Sequence, residues 1–206
     1  MDGLRDKAYR SWAKLLNPEI LRANLMAASI FLVAYEILRT SVIERIRGFL
    51  THEFDSNGSI ISDKYKKDVL SLAKSPLRAS LLWLKGMSVL DDSDIRSVDA
   101  IREHRNELAH DLPKFVATVD AEINTELLAS IYDLVAKIDR WWIREVDLPC
   151  DPEFDGREIA DDEIHSGNVV FMQLLISVAT GGKYEGLWEQ FQSRVNEMSE
   201  SDKGPS

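Results

Sequence analysis

The sequence predicts an all-α fold, with helices along nearly the whole chain. Apolar residues recur every three or four positions over long stretches, as they do on one face of an α-helix. Two pairs of residues that are typical of helix starts, Asn17-Pro18 and Ser75-Pro76, precede such stretches. No stretch shows convincing strand-like alternation, and no internal repeat is visible.

The first two expected helices meet at Asn17. Residues 3–16 are expected to form a short amphipathic helix, with its apolar side made by Leu4, Tyr9, Trp12, Leu15 and Leu16. Asn17 and Pro18 then supply the cap and the first turn of a long helix that runs to about His52. Because apolar residues lie on more than one face of the long helix, we expect it to be covered on several sides, with a second chain as one candidate cover.

The remaining helices follow from the same periodicity. They are expected at 62–74, 76–86, 94–111 (with Ser93 as the cap), 121–146, 162–180 and 184–198. Residues 55–58 and 147–161 are expected to be loops. The chain is therefore expected to consist of a helical bundle over 1–146, an acidic loop and C-terminal helices packing on it over 147–198, and a disordered tail over 199–206.

Cysteine content and hydropathy predict a cytoplasmic protein. The single cysteine, Cys150, cannot form an internal disulfide, which is typical of a reducing compartment. The N-terminus lacks the pattern of a signal peptide. The apolar run Leu25–Tyr35 is too short for a membrane-spanning helix, so no transmembrane segment is expected.

The acidic charge of the chain is unevenly distributed. The net charge is −10, but residues 1–114 hold 18 Lys/Arg against 16 Asp/Glu, a balance of +2, and residues 115–206 hold 7 against 19, a balance of −12. Binding to nucleic acid depends on a local positive site more than on the total. The N-terminal region is therefore compatible with RNA as a partner, with a small contact area.

A dense polar run, Arg102 to His110, interrupts a segment whose other residues show the apolar pattern of a helix that packs on a core. Arg105 projects into the middle of the apolar stripe that Ile95, Val98, Ile101, Leu108, Ala109 and Leu112 form. Since a guanidinium cannot lose its charge, placing it there requires an anion nearby. That anion is either a carboxylate such as Glu36 or Glu44, which would make the residue structural, or the phosphate of a ligand.

Three polar residues line the neighbouring stripe of the same helix. Arg102, Asn106 and His110 are four residues apart and so share a face. Pro113 is expected to end the helix near His110, whose protonated form the negative helix terminus favours. A histidine that exchanges a proton beside fixed guanidinium groups suits metal-free cleavage of a phosphodiester. His110 could also simply cap its helix, and His104 is expected on the far, solvent-facing side.

The run Arg105-Asn106-Glu107-Leu108-Ala109-His110 resembles the R-N-x-x-x-H form of the R-x(4–6)-H signature of HEPN domains, the "higher eukaryotes and prokaryotes nucleotide-binding" superfamily. As architecture, the resemblance covers residues of about 20 to 145. It implies a HEPN-like helical bundle of four to five core helices, with additional helices at the N- and C-terminal ends. The resemblance also implies that the bundle dimerises, with two motifs meeting in one cleft that acts as a metal-independent endoribonuclease without a cofactor. The resemblance implies catalytic roles for Arg105, His110 and Asn106. Arg102 would then bind substrate phosphate, and Glu36 is a possible orienting acid.

The resemblance leaves the biological role open. Where HEPN toxins paired with nucleotidyltransferase antitoxins often carry a tyrosine, this chain has Leu112, so neutralisation at that position is not expected. We expect a prokaryotic toxin or defence effector that cleaves RNA, with an antitoxin or regulatory protein as partner. The alternatives are a non-catalytic nucleotide-binding or protein-interaction module and, third, an antitoxin or immunity-type protein that uses its acidic region.

Overall fold

The computed structural model describes residues 2–51, 54–55, 58–59, 62–154, 159–161, 164 and 166–179. In this part of the chain the predicted all-α class is confirmed. The helices are α1 (Asp2–Leu16), α2 (Pro18–Leu50), α3 (Asp63–Asp68), α4 (Pro76–Gly86), α5 (Asp92–His110), α6 (Leu112–Ala117), α7 (Thr125–Trp142) and α8 (Gly167–Ala179). Two-residue strands, β1 (Phe54–Asp55) and β2 (Gly58–Ser59), pair antiparallel within the stretch that was expected to be loop.

Helix α2 is the centre of the fold. Asn17 caps it, because its side-chain oxygen accepts hydrogen bonds from the backbone N–H groups of Glu19 (3.0 Å) and Ile20 (3.3 Å). Among the described residues, each of the seven other helices contacts α2. Its buried residues recur at helical spacing and occupy several faces: Ala28, Ile30, Phe31, Ala34, Tyr35, Leu38, Ser41, Val42, Ile43, Ile46 and Leu50. The expectation that this helix is covered on more than one side is therefore confirmed.

By length and composition, α2 is also the one helix of the described residues that could cross a membrane. The short run Leu25–Tyr35 gave no sign of this, because the apolar window extends beyond it. Half of that window is buried inside the protein. Such burial is what the central helix of a core requires, and a core helix of a soluble protein meets the same length and composition test.

Helices α7 and α8 close the core against α2. Trp142, at the end of α7, is 1% exposed and stacks on Trp83 of α4 with a ring-centroid distance of 6.2 Å. Asn168 of α8 donates from Nδ2 to Oδ2 of the buried Asp139 (2.9 Å) and to Oγ of the buried Ser41 (3.1 Å). This amide ties α8 to both α7 and α2 by polar contacts in addition to apolar packing.

Several helix boundaries differ from those predicted. The segment expected to be one helix over 62–74 is α3 followed by a 3-10 turn at Leu70–Leu72. Helix α7 is shorter than the expected 121–146 and continues as a π-helical turn at Ile143–Asp147. Short 3-10 turns occupy part of the expected loop 147–161. Helix α8 starts later than predicted for 162–180. The expected helix 184–198 and tail 199–206 lie outside the described residues.

Candidate functional site

The helix that carries the motif, α5, begins two residues earlier than predicted. Asp91, not Ser93, is its cap: the Asp91 carboxylate accepts from the N–H groups of Ser93 (2.7 Å) and Asp94 (3.0 Å). The side chain of Asp94 accepts in return from the Asp91 N–H (2.9 Å), which completes a capping box. The hydrogen bond from the Ser93 hydroxyl and those from the two backbone N–H groups lower the pKa of Asp91 to about 2.

Arg105 occupies the predicted inward position near the other end of α5. Its guanidinium is 5.3 Å from the centroid of the buried Tyr35 ring, and one terminal nitrogen donates to Oε1 of Glu36 at 3.2 Å. Its side chain is 34% exposed. Arg105 Nε is buried and has no hydrogen-bond partner among the described residues. The charge is therefore held by a ring face and a carboxylate, with part of the guanidinium still accessible.

The Glu36 carboxylate pairs with two arginines. Its Oε1 accepts from Arg105, and its Oε2 lies 3.4 Å from a terminal nitrogen of Arg39 on the next turn of α2. The Glu36 side chain is 48% exposed. Glu44, the other candidate partner of Arg105, instead pairs with Arg47 at 3.6 Å. The Glu36 carboxylate therefore bridges Arg105 of α5 and Arg39 of α2.

The remaining motif residues lie at the surface. Asn106 is exposed and accepts a long hydrogen bond of 3.4 Å from Arg105. His110 is exposed at the last position of α5. Arg102 is exposed, and its guanidinium lies 3.7 Å from the carboxylate of Asp99 on the preceding turn, so it forms an ion pair within α5. No described hydrogen bond or ring contact joins Arg105 to His110, which project from different sides of α5.

The prediction for His104 was wrong. The residue is half-buried between two rings, with centroid distances of 4.9 Å to Phe31 and 5.5 Å to Phe115. Its Nε2 accepts a hydrogen bond from the backbone N–H of Asn124 at 3.2 Å. Burial lowers the pKa of His104, although the nearby Glu107 carboxylate opposes that shift.

Helix α6 explains the error at His104. The sequence placed a helix stop before Pro113, yet Leu112–Ala117 forms a new helical turn with proline in its first positions, where its missing N–H costs nothing. The new helix brings Phe115 back over the side of α5 that a projection of α5 alone leaves in solvent. Ala109, which was expected in the apolar stripe, is exposed instead.

Two concave surfaces lie near these elements. An open, mainly apolar groove of about 410 Å³ is lined by Leu32, Val33, Glu36, Ile37, Thr40 and Asn168. Glu36 thus belongs both to this groove and to the ion pair with Arg105. A larger cleft of about 650 Å³, with a mixed polar and apolar lining, lies between α7 and α8 with the segment before α8, and it shares no lining residue with the motif. Within the described residues, no group of three or more His, Cys, Asp or Glu side chains could hold a metal ion.

Comparison with known proteins identifies no relative: no family model, no curated protein and no solved structure matches the chain.

Proposed function

We propose that this chain is a HEPN-like, metal-independent endoribonuclease that acts as a cytoplasmic homodimer. The observation that supports the proposal best is the environment of Arg105. A permanent cation is turned towards the core near the end of α5, yet a third of its side chain stays accessible. Its carboxylate partner, Glu36, is itself half-exposed and shared with Arg39. Asn106 and His110 are exposed within the next five residues.

A phosphodiester can replace Glu36 as the anion beside Arg105. Ion pairs with this degree of exposure contribute only about 0–1 kcal/mol, so little stability opposes the exchange. Glu36 keeps Arg39 as a partner when it leaves Arg105. The Tyr35 ring keeps the guanidinium oriented while the carboxylate moves, because the contact is with the ring face. Glu36 would thus hold the arginine in position until substrate arrives.

The chemistry assigned to the motif is transesterification. The ribose 2′-oxygen attacks the adjacent phosphorus, and the 5′-oxygen of the next nucleotide leaves. His110 either takes the proton from the 2′-hydroxyl or donates one to the leaving oxygen. Arg105 stabilises the added negative charge on the phosphorane, and Asn106 orients the arginine. The products are a 2′,3′-cyclic phosphate and a 5′-hydroxyl.

A second copy completes the site in this proposal. On a regular helix Arg105 and His110 are about 140° apart, so one chain does not present both to the same phosphate. A two-fold axis near the end of α5 would bring each residue close to its own copy in the second chain. Arg102, exposed on the same face as Asn106 and His110, would then contribute to phosphate binding at the mouth of the composite cleft.

The test is cleavage of total RNA in EDTA by purified wild type, His110→Ala and Arg105→Ala. We expect each variant to lose activity about 10²- to 10⁴-fold, the range for removing a proton-transfer or charge-stabilising group. Arg96→Ala is the matched control, because it removes an exposed arginine from the other end of α5 and should keep full activity. Inert wild type across several RNA classes, or equal loss in the control, would contradict the proposal.

Biologically, we propose a prokaryotic toxin or defence effector that an antitoxin or other regulatory protein restrains. Expression toxicity that Arg105→Ala relieves, while the variant stays folded by circular dichroism, would support this role. A toxic Arg105→Ala variant would contradict the assignment of toxicity to the motif.

One observation favours a second candidate, a non-catalytic nucleotide-binding or protein-interaction module. Arg105 already has an internal carboxylate partner and an aromatic ring, as a structural arginine would. In that case nucleotides or oligonucleotides bind at equilibrium without turnover, and His110→Ala leaves their affinity unchanged. Calorimetry together with product analysis on the same samples separates the two functions.

A further inference from the structure

Helix α1 is packed with Lys14 and Leu15 towards the body of the protein and most of its large apolar side chains outward. Tyr9, Trp12 and Leu16 are 74%, 60% and 72% exposed, although they formed most of the predicted packing face. On the inward side, the Lys14 ammonium donates to three backbone carbonyls, those of Phe115 (3.1 Å), Thr118 (2.7 Å) and Ala121 (3.2 Å). The body of the protein therefore holds α1 by polar contacts and leaves its large apolar side chains uncovered.

The exposed residues have the spacing of a helix–helix seam. Arg5, Tyr9, Trp12 and Leu16 are separated by four, three and four positions, so that Arg5 and Trp12, and Tyr9 and Leu16, are each seven apart, as in the heptad repeat of two packed helices. We call these four residues the α1 seam. Ala8 and Ala13, which flank the seam, are small and allow a second helix to approach closely. The spacing therefore favours a second helix as the element that packs against the seam.

We propose that the α1 seam is an interface between two copies of this chain, with the two α1 helices antiparallel. Each copy supplies an identical seam, so one two-fold axis satisfies both. Arg5 lies in the first part of α1, where the helix dipole disfavours a cation, and it has no ion-pair partner in the part of the chain that the structure describes. In an antiparallel pair, Arg5 meets the C-terminal end of the other α1 and the exposed Glu19 that follows it, whose carboxylate lies 3.8 Å from Arg22 of its own chain.

The size of the seam predicts a reversible dimer. Tyr and Trp each bury roughly 150–250 Å² when fully covered, so pairing two seams removes on the order of 1,000 Å² from water. Stable interfaces bury about 1,200–2,000 Å², which places this one at the weak end, with a Kd in about the micromolar range. Helix α1 contacts α6, and α6 begins two residues after His110, so the pairing surface lies on the element next to the motif.

The test is sedimentation equilibrium of the full chain from about 1 to 200 µM. We expect the mass to rise from the 23.4 kDa monomer towards twice that value. Trp12→Glu should weaken the dimer about tenfold or more, since truncated tryptophan anchors typically cost more than the 1.4 kcal/mol that corresponds to tenfold. Met87→Glu, which puts the same charge on a 48% exposed apolar residue elsewhere, should leave the dimer unchanged.

Further variants and a vesicle-binding measurement distinguish the α1 seam from other interfaces and other partners. Loss of the dimer in Val33→Glu but not in Trp12→Glu would assign it to the groove on α2 and overturn the proposal. Arg5→Glu should weaken an antiparallel pair, and a tighter dimer in that variant would overturn the orientation. Wild type that stays monomeric to 200 µM, or that binds phosphatidylglycerol vesicles through Trp12 without self-association, would overturn the interface. The seam proposal rests on the homodimer of the proposed function, and the outcomes separate the two. A dimer that survives Trp12→Glu would overturn the α1 seam alone, whereas a monomeric wild type that still cleaves RNA would overturn the composite site.

Discussion

The two ends of α5 are built in different ways. At the N-terminal end, Asp91 and Asp94 satisfy each other's backbone groups within three residues of sequence. At the C-terminal end, Arg105 takes its carboxylate from a residue 69 positions away, and His104 accepts from a backbone N–H 20 positions away. The first end is fixed by local chemistry, whereas the second depends on where α2, α6 and the loop before α7 are placed.

The two ends of α5 therefore differ in role. The N-terminal end stabilises the helix, and the C-terminal end carries the candidate site. The capping box keeps its form when distant packing changes, because its reciprocal hydrogen bonds between Asp91 and Asp94 lie within the helix start. Lys137 of α7 adds a long-range contact to it, because its ammonium donates to Asp94 Oδ2 at 2.7 Å. The end with the motif responds to shifts of other elements, since the main contacts of Arg105 and His104 cross to α2, α6 and the segment before α7. A site that exchanges an internal carboxylate for a substrate phosphate fits the second kind of end.

The largest effect is expected from truncating the core under the motif. Leu108 is fully buried, and Leu108→Ala should reduce the free energy of unfolding by about 2–5 kcal/mol. Ile95→Ala, a comparable core truncation at the locally capped end, should cost a similar amount. Urea unfolding measures both. Only Leu108→Ala should also shift the NMR signals of the His104 ring, and equal shifts in both variants would contradict the contrast between the ends.

The second-largest effect on stability is expected from the capping box, which also makes stability depend on pH in the acidic range. The pKa of Asp91 is about 2 in the folded chain and 3.8 as the ordinary value, so its contribution is fully present above pH 3.8 and is lost as pH falls towards 2. Asp91→Asn keeps the cap but should remove this dependence. Asp91→Ala should lower stability at neutral pH too. Thermal unfolding between pH 5 and 2.5 tests both, and an unchanged acid slope in Asp91→Asn would count against the assignment.

His104 should make stability fall at mildly acidic pH. Because burial lowers its pKa below 6.5, the unfolded chain binds the proton more tightly, and stability decreases as pH falls below about 6.5. Protonation would also remove the acceptor for the Asn124 N–H. His104→Gln, which retains an acceptor, should flatten the profile between pH 7.5 and 5.5 in urea unfolding. A variant that keeps the wild-type slope would show that another group is responsible.

The smallest effect is expected from the ion pair itself. Glu36→Gln should change the free energy of unfolding by less than about 1 kcal/mol, because both partners are partly exposed. A double-mutant cycle with Arg105→Met isolates the pair. Glu36→Gln should also strengthen the binding of short oligonucleotides, because it frees the Arg105 guanidinium. Weaker binding together with a coupling above about 2 kcal/mol would instead support a purely structural Arg105.

Sequence reasoning reached the fold and the local features of the site. Helical periodicity with Ser75-Pro76 predicted α4 with its observed bounds, and Asn17-Pro18 predicted the start of α2. The inward position of Arg105 followed from projection alone. These features depend on residues within one or two turns of each other, so the chain itself carries enough information to predict them.

The rest depended on contacts between distant segments. The surroundings of His104 required knowing that α6 returns over α5, and Pro113 suggested the opposite. The contact between Arg105 and the Tyr35 ring was not predictable from the sequence, apart from the position of Tyr35 next to Glu36. The outward side of α1 was missed because an amphipathic pattern indicates that a face is covered, but not by which molecule.

The ammonium of Lys14 links the beginning of the chain to the stretch that follows the motif. A protein shortened to begin at Pro18 would leave three carbonyl oxygens, on Phe115, Thr118 and Ala121, without their donor. We therefore expect N-terminal deletions to loosen the segment after His110 and to mimic defects in the motif itself. A tag fused before Met1 would instead leave the Lys14 contacts in place.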